Sequence, residues 1–276
     1  TLGAPTAQLP PWKIPTLRTL YVISILCAVL GGIQLSRGFR RWTNWVLTLV
    51  VGLFIFGFMV WAASGRSLNL VGLLNTSLSK AVPLTLGALS GILCERAGVV
   101  NIAIEGMMLA GAMVGALVGS LTQSTWLGLL GSLLAGLMLG YVLAVLSIKY
   151  KTNQIIAGTV INIFATGLTS YISAKFMQTY QALNNPPIFK AWPVPLLSDI
   201  PIVCPILFNN NLFTYLMFVF LAVLHAALFY TKWGLRVRAV GEHPKAADTL
   251  GIDVFRTRYL SVLMGGMMAG FAGGYF

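Results

Sequence analysis

The chain carries only six carboxylates, Glu95, Glu105, Asp199, Glu242, Asp248 and Asp253, against 18 Lys and Arg and two His. Chemistry that needs paired acids, a metal or an activated nucleophile must draw on very few positions. His225 and His243 have no companions at metal-ligand spacing, and no Ser/His/Asp or Cys/His grouping is readable. Cys27, Cys94 and Cys204 form no CxxC pair and are odd in number, so they read as small apolar residues and not as zinc ligands or a disulfide framework. No phosphate-binding GxxxxGK(S/T) loop occurs. The chain is therefore read as no enzyme, binding no metal and no cofactor of its own; any ATP it depends on is used by a partner subunit.

Two of the carboxylates stand between apolar runs, in Cys94-Glu95-Arg96-Ala97-Gly98-Val99-Val100-Asn101-Ile102-Ala103-Ile104-Glu105-Gly106. A charge at membrane depth is costly and normally faces protein or water. Two readings stay open. In one, the stretch interrupts a helix pair and lines a translocation path, as broken helices do near transporter sites. In the other it is a short cytoplasmic turn, with Glu95 and Arg96 solvated and Glu105 bonded to a neighbour. The path candidates are Glu95, Asn101, Glu105 and Asn162. Asn162 lies deep enough that it must hydrogen-bond another helix or a polar solute, and Asn153 suits the N-cap of the helix that carries it.

The segment Lys232 to Ile252 holds a second group of polar residues. Pro244 suits a first helical position and Gly251 the position just past a helix end, which predicts about two turns between them. Ala246, Ala247 and Leu250 are expected on one face. So short a helix is unstable alone in water and needs a partner or the membrane surface to hold it, a cytoplasmic protein with a shallow groove being the natural candidate.

What must position these residues is a set of membrane helices. The chain is 57% apolar and 9% charged, against about 25% charged in soluble domains. Apolar runs near 18–35, 43–63, 74–94, 102–121, 126–147, 154–174, 211–230 and 257–276 predict an all-α, polytopic protein of about eight spans. The net charge of +12 is spread over short clusters between spans, which fits lipid headgroups and excludes a nucleic-acid face. If 231–256 is cytoplasmic, 12 of the 18 Lys and Arg fall on that side, and the N-terminus lies outside. Pro186, Pro187, Pro193, Pro195, Pro201 and Pro205 exclude a span in 175–210, which is expected outside. Glycines spaced by four (Gly111, Gly115 and Gly119; Gly136 and Gly140; Gly266, Gly270 and Gly274) predict close helix contacts with unassigned partners. The last run stops without a cap or flanking charge, so the chain is expected to be a fragment at its C-terminal end.

Three segments then resemble a known family. Val82 to Ala112 is similar to the signature of nucleoside and simple-sugar importer permeases, within the branched-chain amino acid and ribose permease superfamily of ATP-binding-cassette transporters. Asn153-Gln154-Ile155-Ile156-Ala157-Gly158 with Asn162 resembles the middle of that family, and Gly234 to Ile252 its coupling region. The resemblance runs from about residue 70 to 276, dividing the chain into an N-terminal membrane region (1–66, two helices) and a permease domain (67–276). It implies a multi-pass protein of the cell (inner) membrane whose coupling helix seats on an ATPase subunit through Glu242, His243, Pro244, Ala246, Ala247 and Gly251. It also implies a second permease subunit and an extracytoplasmic binding protein that delivers a nucleoside or simple sugar. The alternative is a stand-alone secondary transporter or channel for a small polar solute, which leaves the short helix unexplained.

Overall fold

A computed structural model of the chain describes residues 15–62, 64, 70–193 and 207–276; Asp199, Cys204, Pro195, Pro201 and Pro205 lie outside the described residues, as does the extreme N-terminus. The architecture is all-α, as expected. The helices are α1 (Thr16–Ser36), α2 (Thr43–Ala62), α3 (Leu70–Arg96), α4 (Ile104–Thr122), α5 (Thr125–Ala144), α6 (Gln154–Ile172), α7 (Leu212–Tyr230), α8 (Lys232–Glu242), α9 (Pro244–Thr249) and α10 (Val254–Gly273). Among the described residues seven helices, α1 to α7, are long and apolar enough to cross a membrane. The eighth expected span is α10, a 20-residue helix of a different kind. It opens on Arg256 and Arg258 and buries Ser261, Val262, Gly265, Gly266 and residues 269–273 against protein. Its other side leaves Phe255, Leu260, Met264 and Met267 exposed, and the small residues stand where the helix packs on its neighbours.

Contacts divide the chain into two units. The first comprises the described residues up to Leu78 and those of 193–209. Here α1 packs on α2 near Gly57, where a Cβ would lie 3.7 Å from both Ile23 Cδ1 and Leu20 Cδ2. No residue of α1 is buried, and Leu17, Tyr21, Val22 and Ile25 are all exposed. An apolar surface of that extent suits lipid and not water.

The second unit holds 79–192 and 210–276. Its centre is α5 packed between α4 and α10. The glycine ladders make this packing. Gly136 and Gly140 of α5 lie against Gly266 and Gly270 of α10, Gly111 of α4 meets Gly270, and Gly115 and Gly119 of α4 meet Gly128 of α5. Without a hydrophobic preference for protein over lipid, such helices associate through close backbone approach and dispersion. Ser90 adds a polar tie, donating to the Gly265 carbonyl at 2.7 Å. Two apolar clusters flank the centre. One joins Cys94, Val99, Ala103 and Met107 to Leu143, Ile161 and Val262; the other joins Leu89, Leu93 and Ala97 to Leu224, Leu228 and Val237.

Candidate functional site

α3 continues through Pro83 and ends at Arg96, and α4 begins at Ile104. The end is set by Gly98, whose φ of +79° lies in the left-handed region that glycine tolerates. Gly98 N donates to Glu95 O at 2.9 Å and Val99 N to Cys94 O at 3.1 Å, the pair of reversed bonds that closes a Schellman end. Residues 97–103 are therefore irregular, and their backbone polar groups need partners from outside.

Two helices, α6 and α10, supply them. Val100 N donates to Gln154 Oε1 at 2.8 Å, at the start of α6. Asn162, two turns further along α6, donates from Nδ2 to Ile102 O at 2.9 Å and accepts at Oδ1 from Gly106 N at 2.8 Å. Arg258 of α10 donates from Nε to Ala97 O at 3.2 Å. Asn101 is buried and works within the segment: its Oδ1 accepts from Ala103 N at 3.0 Å, while Nδ2 faces Cys94 Sγ at 3.6 Å and Met107 Sδ at 3.7 Å. Of the two partners open to Asn162 in the sequence, the structure supplies a protein one at each end of the amide. Asn153 caps α6 as expected, accepting from Ile155 N at 2.9 Å.

Glu95 and Arg96 are exposed at the end of α3. They line a groove of about 540 Å³ with Arg238, Gly241 and Glu242 of α8, and the Arg238 guanidinium stacks 5.1 Å from the Phe229 ring centre. Glu95 and Glu242, which the sequence places in separate groups, thus share one surface. Glu105 stands elsewhere, exposed on the first turn of α4, where the helix dipole suits a carboxylate; it makes no hydrogen bond among the described residues.

α8 was not anticipated. Thr231 caps it, accepting from Gly234 N at 3.1 Å, and it buries Gly234, Val237 and Val240. The signal was present in the cap and the three-residue spacing of those apolar positions. The two-turn helix at Pro244 is present as α9. Pro244 occupies its start, His243 Nδ1 accepts from Ala246 N at 3.1 Å, and Gly251 follows with φ +78°. Its end has the same reversed bonds as α3, Gly251 N to Asp248 O at 2.9 Å and Ile252 N to Ala247 O at 3.1 Å. The expected common face divides. Ala247 is buried within this chain at 2% exposure, whereas Ala246 is exposed and Leu250 is 79% exposed.

At the other end of α4, Gly119, Pro186, Pro187, Phe189, Phe213 and Tyr275 line a cavity of about 290 Å³. Phe189 stands edge-on to Phe213, ring centres 5.6 Å apart. The sequence placed those prolines in an outer segment, read either as a stiff connection or as a docking site for a delivery protein, and gave no sign of a cavity.

Seven membrane-length apolar helices among the described residues, together with a glycine-packed centre and a short capped helix in the second unit, define a multi-pass protein of the cell membrane. More narrowly, the chain belongs to the branched-chain amino acid transport system / permease component family, whose model matches residues 73–276. It is 36% identical over 207 residues to the guanosine ABC transporter permease protein NupQ of Bacillus subtilis, covering 72% of this chain and 65% of that one. It is 35% identical over 203 residues to the nucleoside ABC transporter permease protein NupC of Lactococcus lactis, covering 71% and 64%. A third relative, TsgC13 of Haloferax volcanii, named provisionally as a glucose ABC transporter permease, is 37% identical over 208 residues, covering 74% and 62%. The chain thus spans somewhat less than two thirds of the length of these relatives. No solved structure matches it.

Proposed function

We propose that this chain is the membrane-spanning subunit of an ATP-binding-cassette importer, carrying a nucleoside delivered by an extracytoplasmic binding protein. A separate subunit hydrolyses the ATP, and a second permease subunit completes the path. The family match and the names of NupQ and NupC support this reading. The observation that carries it is α9: both ends are capped, Ala247 is anchored inside, and Ala246 and Leu250 are left open. Six residues hold such a conformation only when fastened at one side, and the free side is then a rigid knob for a partner's groove. Glu242 and His243 lead into the knob and Gly251 closes it. Glu105, exposed beside the bonded Asn162, is the path candidate free to meet solute; Glu95 stands with the coupling surface.

The test is reconstitution with the cognate ATPase and binding protein, assayed with a panel of nucleosides and sugars. Guanosine uptake that requires ATP and is lost in Ala246→Arg, together with ATPase co-purification, is the expected result. The name of TsgC13 favours a sugar as the second reading, and uptake of glucose without nucleosides would establish it. Uptake by this polypeptide alone, without ATP or partners, would refute the importer reading.

A further inference from the structure

Both flanks of α9 touch the same few residues of the α3–α4 junction. Before it, Gly241 lies so close to Arg96 that a Cβ there would collide with the Arg96 carbonyl and lie 3.3 Å from Gly98 N. After it, Asp253 caps α10 by accepting from Arg256 N at 2.8 Å, and Arg258, on the next turn, donates to Ala97 O at 3.2 Å. Gly98 sits between the two: a Cβ at this residue would be 3.1 Å from Arg258 Nη2 and 3.4 Å from Gly241 Cα. The far side of the junction is held as firmly, by Gln154 at Val100 and by Asn162 at Ile102 and Gly106.

We infer that residues 96–102 form a stiff link that carries displacement of α9 to the starts of α4 and α6, with Arg258 as the positioning residue that fastens α10 to it. A loop bonded only to itself would absorb such a displacement. This one is bonded to α10 at one end and to α6 at the other, with Gly241 of α8 packed against it, so its closed hydrogen bonds pass motion on. The inference rests on the importer reading and adds to it: α9 takes the load, and the residues packed behind it deliver it to the turn bearing Glu105.

The experiment uses the assembled transporter in proteoliposomes and measures guanosine moved per ATP hydrolysed and co-purification of the ATPase. The variants are Arg258→Met, Arg258→Lys and Gln154→Leu, the last at the opposite end of the link. Arg258→Met and Gln154→Leu are expected to keep the ATPase bound and hydrolysing while uptake per ATP falls by about 5-fold or more, with partial rescue in Arg258→Lys. Uptake per ATP within about 2-fold of wild type in both would overturn the link, the lower edge of allosteric couplings being about 5-fold. Loss of the ATPase from Arg258→Met would overturn it too, since Arg258 would then be a docking residue. A wild-type protein that binds no ATPase would instead overturn the importer reading.

Discussion

Replacing Gly136 by alanine tests the glycine packing most directly. A Cβ at Gly136 would stand 2.6 Å from both Cα and N of Gly270 and would collide with the Gly266 carbonyl. All three are backbone atoms, so no side chain can swing away. Ordinary contact begins near 3.4 Å, and α5 and α10 would have to part by at least about 0.8 Å, enough to forfeit a quarter to a half of each dispersion contact along the seam. Overpacking of this kind costs roughly 1–3 kcal/mol, set against at most about 1 kcal/mol gained from alanine's helix propensity. A net loss of about 1 kcal/mol should lower the melting temperature of the detergent-purified protein by about 2–4 °C. Gly167→Ala is the control, because a Cβ there meets nothing within 4 Å, and it should be neutral or slightly stabilising by up to about 1 kcal/mol. Equal melting temperatures for the two variants would refute the packing argument.

Asn162→Leu leaves Gly106 N and Ile102 O without their partners, at a cost of about 1–3 kcal/mol; Asn162→Asp keeps the acceptor and should melt between that variant and wild type. Ser90→Ala loses one buried bond to Gly265 O and should cost about 1 kcal/mol, less than Asn162→Leu, in the same assay. Gly251→Ala forces a side chain into φ +78°, at roughly 1–2 kcal/mol; faster hydrogen exchange confined to 244–252, with little change in global melting, is the expected signature. Ala247→Arg should open α9 to proteolysis while Ala246→Arg leaves it resistant, because only the first is buried; equal cleavage would show that α9 is not anchored through Ala247.

Much of this molecule is decided over a few residues at a time. Span lengths follow from apolar runs that must cross about 30 Å of hydrocarbon. The ends of α6 and α9 follow from Asn153, Pro244 and Gly251, whose effects reach no further than one helical turn. α8 escaped that reading because Gly234 and Gly241 lower helix propensity, although they are the points where it packs against α7 and α3. Glycine ladders announce close approach without naming a partner, since a missing side chain carries no complementary shape. Only the assembled bundle pairs Gly136 and Gly140 with Gly266 and Gly270.

The same division runs through the candidate site. Asn162 had to bond something, and tertiary structure chose the α3–α4 junction. Ala246 and Ala247 are identical neighbours in sequence, yet one is exposed and the other enclosed. Glu95 joins Glu242 only because α8 folds back on the end of α3. By itself the sequence determined the membrane helices, their caps and the short helix, since hydropathy and capping act within a turn. Which surfaces meet, and so which candidate residues hold the fold and which stay free for a partner or solute, depends on contacts between segments far apart in the chain, and these the tertiary structure decided.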